Sequence, residues 1–130
     1  MIMDKIEISG IRCYGYTGFL PEERVLGQWF EVDLKMSLDL AAPGKTDKIE
    51  DTLDYRGTIG LVRHLVQKSR FSLLEALAEA IAAAILASDA VEEVQVRLSK
   101  LAAPIPEFGG KITIEIIRCR SEWQPQDNLG

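Results

Sequence analysis

The sequence is poor in the side chains that build metal centres and disulfide frameworks. Its 130 residues include one histidine, His64, and two cysteines, Cys13 and Cys119. A catalytic zinc ion usually takes two or three histidines or a mixed set of cysteine and histidine, and a disulfide framework takes several cysteine pairs. His64 also lies off the apolar stripe of its predicted helix, so we expect it to be solvated. We therefore predict no metal and no disulfide scaffold.

Positive charge, long apolar runs and phosphate-binding motifs are also scarce. The chain has 15 Lys and Arg against 20 Asp and Glu, a net charge of -5, and no basic cluster that would neutralise a run of phosphates. Its longest apolar stretch, residues 73–86, is interrupted by Glu75 and Glu79, and its N-terminus lacks the apolar core of a signal peptide. No Gly-x-Gly-x-x-Gly or P-loop pattern is present. We expect a cytoplasmic protein that uses no nucleotide cofactor and binds neither nucleic acid nor membrane.

The chain has the length and composition of one folded domain. Of its residues, 47% are hydrophobic and 27% are charged, which is typical of a globular protein with one core. The composition shifts only at the C-terminus, where residues 120–130 are polar. We predict a domain over residues 1–119 and a flexible tail over residues 120–130.

Four segments alternate apolar and polar residues, as strands with one buried face do. They cover residues 5–13, 29–40, 94–98 and 112–116. Gly10 interrupts the first segment and indicates a bulge or bend. The sequence therefore predicts two strands before residue 41 and two strands after residue 93.

Two segments between these strand pairs have helical spacing. Apolar residues recur at that spacing from Tyr55 to Lys68, which predicts an amphipathic helix. A second helix is predicted to begin at Ser72, whose side chain would accept a hydrogen bond from the Glu75 amide while Glu75 reaches back. Alanines and an apolar face then extend to Ile85.

The order strand, strand, helix, helix, strand, strand predicts an α+β fold. A four-stranded antiparallel sheet would carry both helices on one face. Such a sheet leaves two exposed edges in a monomer, and proteins often remove that hazard by pairing edges between subunits into a closed ring. We therefore expect an oligomeric β-barrel.

Several polar residues stand at the ends of these elements. Glu22 and Glu23 precede Gly27-Gln28, Asp54-Tyr55 opens a helix, Glu75 lies in a first helical turn, and Lys100 ends a strand. By residue type alone each has a structural interpretation, as a loop charge, a core-edge aromatic, a capping partner or a solvated lysine.

Four separated motifs carry a resemblance that composition does not. They are IRCYGYTGFLPEERVLGQ at residues 11–28, DTLDY at 51–55, LLEALAE at 73–79 and VRLSK at 96–100, and PIP follows at 104–106. In this order and spacing they resemble the dihydroneopterin aldolase family over roughly residues 4–118. The resemblance implies the tunnelling fold, in which four subunits close a barrel and two such rings stack into an octamer. Whether this chain forms a tetramer or an octamer is left open.

The resemblance also implies a reaction. It is the retro-aldol cleavage of 7,8-dihydroneopterin, a pterin of tetrahydrofolate biosynthesis, to 6-hydroxymethyl-7,8-dihydropterin and glycolaldehyde. The substrate has a carbon-nitrogen double bond beside its trihydroxypropyl chain and so supplies its own electron sink. No metal, cofactor or lysine Schiff base is required.

The family's ring-binding residues match four positions of this chain. Glu75 would anchor the aminopyrimidine ring, because a carboxylate accepts two parallel N–H bonds. Backbone groups near Leu53 and Leu74 would complete this recognition. Tyr55, contributed by a neighbouring subunit, would stack on or orient the substrate, so a monomer would be inactive.

The family's proton-handling residues match two further positions. Lys100 would move protons, and Glu23, rather than Glu22, would contact the hydroxylated side chain. Thr17 stands where the family usually has a histidine, and it would bind near the same hydroxyl chain without titrating.

The departures from the family pattern keep two alternatives open. Besides Thr17, residues Glu107 and Phe108 follow Pro106 where Gly-His is more usual. A relative that epimerises dihydroneopterin or its triphosphate without net cleavage is one alternative. A pterin-binding tunnelling-fold protein without turnover is the other. Zinc-dependent enzymes of this fold are set aside because they need a histidine cluster.

Overall fold

A four-stranded antiparallel sheet lies at the centre of the computed structural model, which describes residues 3–120. Its strands are β1 (Asp4–Gly15), β2 (Gln28–Leu38), β3 (Glu93–Lys100) and β4 (Ile112–Cys119), hydrogen bonded in the order β1-β2-β3-β4. The four predicted strands are confirmed. Within the described residues β1 and β4 are the edge strands.

The bend predicted at Gly10 is a bulge in β1. The register with β2 shifts between Ile8 and Ile11, and Gly10 has a φ of +77°. Its N–H donates to Asp33 Oδ1 at 2.7 Å. Because the bulge adds one residue to β1, Ile8 and Ile11 both face the core, although three positions separate them.

Five helical segments accompany the sheet within residues 3–120. They are α1 (Pro21–Leu26), α2 (Ala41–Thr46), a short 3-10 turn (Ile49–Asp51), α3 (Tyr55–Lys68) and α4 (Leu74–Leu86). The bounds predicted for α3 are confirmed, and Asp54 caps it by accepting from the Arg56 N–H at 3.1 Å. The sequence did not predict α1, α2 or the 3-10 turn, because each is too short to show a period.

The predicted capping of α4 by Ser72 is wrong. The residue before the helix is Leu73, in extended conformation and without a side-chain cap. The Ser72 hydroxyl accepts instead from the guanidinium of Arg24 at 3.3 Å. The Ser72 hydroxyl therefore binds a residue distant in sequence instead of capping the helix. Glu75 lies in the first turn of α4 with its side chain exposed.

One hydrophobic core lies between the sheet and the two long helices. Val62 and Val66 of α3 and Leu77 and Ile81 of α4 are fully buried against the inner face of the sheet. The prediction that both helices cover one face is confirmed. His64 is exposed on α3, as expected. No helix among residues 3–120 combines the length and the apolar character needed to span a membrane.

The opposite face of the sheet is charged. Cross-strand ion pairs join Arg12 to Glu31 at 3.2 Å and Arg97 to Glu115 at 2.8 Å. Opposite charges facing one another across neighbouring strands stabilise a sheet modestly. This face therefore suits water or a hydrated interior, and the closed barrel of several copies stays a prediction.

Arg120, the first residue of the predicted C-terminal tail, is the last residue that the structure describes. The backbone N–H of Arg120 donates to the Glu92 carbonyl at 2.8 Å, and its guanidinium donates to the carbonyls of Leu86 at 2.8 Å and Val91 at 3.1 Å. Arg120, which the sequence assigned to the flexible tail, is therefore held at the end of α4. The rest of that predicted tail, residues 121–130, lies outside the described residues.

Candidate active site

Glu23 is a buried carboxylate at the start of the short helix α1. Pro21 occupies the first turn, where its missing N–H costs nothing. Glu23 Oε1 accepts from the backbone N–H of Leu20 at 3.0 Å and so satisfies a donor that the helix leaves unpaired. With 3% of its surface exposed, Glu23 is fixed where a typical glutamate would be mobile.

The second oxygen of Glu23 binds two side chains from the sheet. Its Oε2 forms an ion pair with Lys100 Nζ, at the end of β3, and accepts from Gln28 Nε2, at the start of β2, at 2.7 Å. Burial alone would raise the pKa of Glu23, but hydrogen bonds from Lys100, Gln28 and the Leu20 N–H outweigh burial and lower this pKa. Glu23 is therefore ionised at neutral pH.

Gln28 is the site residue that the sequence analysis did not identify. It is 7% exposed, and its Oε1 has no hydrogen-bond partner in the described part of the chain. A signal was present, because position 28 has the same inward phase as Phe30 and Val32 on β2, and a polar residue there needs a partner.

The turn after β1 packs closely on the Glu23 carboxyl. A Cβ added to Gly18 would lie 2.7 Å from Glu23 Cδ, so no larger residue fits. Gly18 N–H donates to the Phe71 carbonyl at 2.9 Å, and the fully buried Thr17 hydroxyl donates to the Ser69 carbonyl at 3.4 Å. This turn thus connects Glu23 to the loop between α3 and α4.

A groove of about 490 Å³ opens beside Gln28. Its lining residues are Arg12, Tyr14, Gly27, Gln28, Trp29, Leu101 and Ala102. Tyr14 and Trp29 meet edge to face with ring centroids 5.5 Å apart. Gly27 has a φ of +71° and would carry a Cβ 2.8 Å from the Tyr16 ring, so glycine is required there. The groove has the size and aromatic lining of a small-molecule site.

Glu75 and Leu74 lie at the same end of the fold as Lys100. After α4 the chain turns back into β3, and α4 packs along β3. The first turn of α4, with Glu75 exposed and Leu74 buried, therefore lies toward the end of β3 where Lys100 stands. At the same end, the turn after β1 contacts the loop before α4 through the hydrogen bond from the Gly18 N–H to the Phe71 carbonyl.

Tyr55 and Leu53 lie at the opposite end of the fold. Leu53 lines a cavity of about 220 Å³ that the C-terminal part of α4 also lines, through Ala84 and Ile85. From Leu74 to Ile85 an α-helix rises about 17 Å. Tyr55 is 53% exposed at that far end. One chain therefore brings Thr17, Glu23 and Lys100 to the end that carries Leu74 and Glu75, and it leaves Leu53 and Tyr55 apart from them.

The loop between β3 and β4 carries two of the three residues that depart from the family pattern, Glu107 and Phe108. Glu107 has a φ of +64°, in the left-handed region that favours glycine, and Phe108 is 41% exposed. The glycine usual in the family at this position fits that conformation without strain.

No three side chains of His, Cys, Asp or Glu within residues 3–120 are grouped closely enough to hold a metal ion. The groups collected at this end are a carboxylate, an amide and an amine. Together they can accept and donate protons and bind hydroxyl groups.

A protein-family model described as dihydroneopterin aldolase matches residues 6–117. The chain belongs to the dihydroneopterin aldolase family. It is 49% identical over 118 residues to a probable dihydroneopterin aldolase of Synechocystis, covering 91% of this chain and 100% of the relative. It is 38% identical over 120 residues to the Bacillus subtilis dihydroneopterin aldolase, covering 92% and 100%. These matches confirm the resemblance drawn from the four motifs and the predicted aldolase activity.

Solved structures confirm the tunnelling fold of this aldolase. The Escherichia coli dihydroneopterin aldolase in complex with neopterin superimposes with a TM-score of 0.82 at 28% identity, covering 89% of this chain and 99% of that one. The Burkholderia enzyme bound to guanine gives 0.74 at 25% identity, covering 90% and 91%. A Bacillus urate oxidase gives 0.71 at 12% identity, with 93% of this chain and 50% of that one covered, and shares the fold alone.

Proposed function

We propose that this aldolase cleaves 7,8-dihydroneopterin in the cytoplasm, at the end of the sheet where Glu23, Gln28 and Lys100 meet. The observation that carries the proposal is the buried ion pair of Glu23 with Lys100 beside a groove of ligand size. Neopterin in the E. coli relative and guanine in the Burkholderia relative support a flat bicyclic substrate.

Lys100 moves the proton in this proposal. The charged pair of Lys100 and Glu23 accepts the proton of the 2'-hydroxyl, and the bond between the first two side-chain carbons breaks to release glycolaldehyde. The electron pair passes into the carbon-nitrogen double bond of the ring and leaves an enamine. The ammonium of Lys100, stabilised by Glu23, then returns the proton to the enamine carbon and gives 6-hydroxymethyl-7,8-dihydropterin.

Recognition of the substrate is divided between ring and side chain. Glu75 binds the aminopyrimidine edge through paired N–H bonds, aided by the backbone near Leu74. Gln28 Oε1, which is buried and has no hydrogen-bond partner among residues 3–120, accepts from a substrate hydroxyl, because an unpaired buried acceptor costs about 1–3 kcal/mol. Thr17 contributes through the turn that holds Gly18 against Glu23.

A complete site needs a second copy of the chain. Tyr55 and Leu53 lie at the far end of their own chain, so we propose that they serve the site of a neighbour. Two open sheet edges, β1 and β4, support a closed ring of four copies, alone or stacked in pairs as an octamer.

The reaction is tested with pure protein and 7,8-dihydroneopterin. We expect glycolaldehyde and 6-hydroxymethyl-7,8-dihydropterin in equal amounts. An epimerised pterin without glycolaldehyde would favour the epimerase, and tight binding without any product would favour the non-catalytic pterin binder. Either result contradicts the proposal.

The shared site is tested by mixing two inactive variants. Tyr55→Ala and Lys100→Ala are unfolded together, refolded together, and assayed. In a random ring about one site in four would receive an intact Tyr55 from one copy and an intact Lys100 from the next, so about a quarter of wild-type activity should return. Refolding each variant alone is the control. A mixture as inactive as its components would show that Tyr55 does not serve a neighbouring Lys100.

A further inference from the structure

Arg24 links two segments that flank the candidate site, the turn after β1 and the loop between α3 and α4. Its Nη1 donates to the Gly18 carbonyl at 3.1 Å, the Ser72 hydroxyl at 3.3 Å and the Phe71 carbonyl at 3.5 Å, and its Nη2 donates to the Arg70 carbonyl at 3.4 Å. Gly18 belongs to the turn packed on Glu23. The other three acceptors belong to the loop that leads into α4.

The position of Arg24 beside Glu23 connects this contact to the candidate site. It follows Glu23 directly in α1, and the two side chains diverge: Glu23 points inward to Lys100, and Arg24 reaches across the surface to the loop before Leu74. The planar guanidinium has several donors in a fixed fork, so it can hold several acceptors in one arrangement. All its acceptors here are neutral oxygens.

We propose that Arg24 is a positioning residue, which sets the distance between the ring-binding Glu75 and the proton-moving pair of Glu23 and Lys100. This inference rests on the proposed function. A substrate whose ring is held at one half and whose hydroxyl chain must meet the other half reacts only when the two halves are in register. Misplacement by about 1 Å can cost a factor of about a hundred in rate.

The test separates ring binding from turnover in Arg24→Ala, Arg24→Lys and wild type. Guanine, which carries the aminopyrimidinone ring without the hydroxyl chain, probes the Glu75 half by calorimetry. Turnover of 7,8-dihydroneopterin probes both halves. We expect guanine affinity within about twofold of wild type for Arg24→Ala and kcat lower by about tenfold or more, with a partial return of kcat in Arg24→Lys. The pH profile of kcat should keep its shape, because the ion pair is intact.

Arg63→Ala is the matched control, since Arg63 is an exposed arginine in the middle of α3. Its kcat and guanine affinity should equal those of wild type. Parallel losses of guanine affinity, kcat and melting temperature in Arg24→Ala would mean that Arg24 merely holds the fold. An unchanged kcat would likewise overturn the inference while leaving the proposed function standing. A wild-type protein without turnover would instead overturn the proposed function and this inference with it.

Discussion

The ion pair of Glu23 with Lys100 should contribute to stability as well as to chemistry. The side chains are 2% and 15% exposed. Removing one partner of a buried pair costs about 3–5 kcal/mol, because the other charge is left without compensation. Water reaches the ammonium of Lys100 in part, so we expect about 3 kcal/mol for Glu23→Gln, near the lower end of that range. At about 3–5 °C per kcal/mol for a chain of this size, the melting temperature should fall by about 10 °C.

A double-mutant cycle isolates the pair. Glu23→Gln, Lys100→Met and the double variant are unfolded in urea at pH 7, at one protein concentration, because assembly of copies adds to apparent stability. The double variant leaves no charge unpaired, so the coupling free energy should be about 2–3 kcal/mol. The exposed pair of Arg97 and Glu115, with side chains 45% and 41% exposed, is the matched control. Its coupling should stay below about 1 kcal/mol.

The pH dependence of this coupling follows from the lowered pKa of Glu23. Burial opposes that lowering, and the hydrogen bonds from Lys100, Gln28 and the Leu20 N–H exceed it. A carboxyl with a lowered folded pKa contributes stability that is fully present above its unfolded pKa, about 4.3, and is lost as the pH falls through the folded value. The coupling should therefore be equal at pH 7 and pH 6 and should shrink below about pH 4. A coupling as small as that of the exposed pair, or one unchanged at pH 3, would refute this reasoning.

Three further substitutions test the separate roles in the site. Lys100→Ala should abolish cleavage with a modest loss of pterin affinity, whereas Glu75→Ala should chiefly destroy binding, and equal losses of affinity in both variants, measured by calorimetry, would contradict these roles. Gly18→Ala should displace the Glu23 carboxyl, because the added methyl group would lie 2.7 Å from Glu23 Cδ. We expect lower kcat and a lower melting temperature in Gly18→Ala, while Gly57→Ala, where an added Cβ meets nothing within 4 Å, serves as the control.

Much of the fold could be predicted because long elements repeat a period many times. The alternation along β2 and the helical spacing along α3 each continue for at least ten residues, and the structure confirms both. The bulge at Gly10 was predictable because glycine interrupts an alternating run. The short helix α1 has six residues, too few for a period, and its start depends on Pro21 and on the carboxylate of Glu23.

The site was less predictable because its residues come from distant parts of the chain. The motifs named Glu23 and Lys100, but their contact joins positions 77 residues apart and becomes visible only in three dimensions. Ser72 fitted a local capping pattern, yet Arg24, 48 residues away, binds its hydroxyl. A capping pattern read from neighbouring residues cannot account for a distant side chain that binds the same hydroxyl. Gln28 lies one residue before the alternating run of residues 29–40, so its inward position becomes visible only once β2 is known to begin at Gln28.

The double use of the Glu23 carboxylate limits how this protein can evolve. One oxygen accepts from the backbone N–H of Leu20, where α1 begins, and the other binds the Lys100 amine and the Gln28 amide. Aspartate is too short to span both, and glutamine offers one acceptor and no charge. A descendant that lost activity through a substitution of Glu23 would also lose stability. Inactive descendants are therefore expected to retain Glu23 and to carry their inactivating substitutions at other positions.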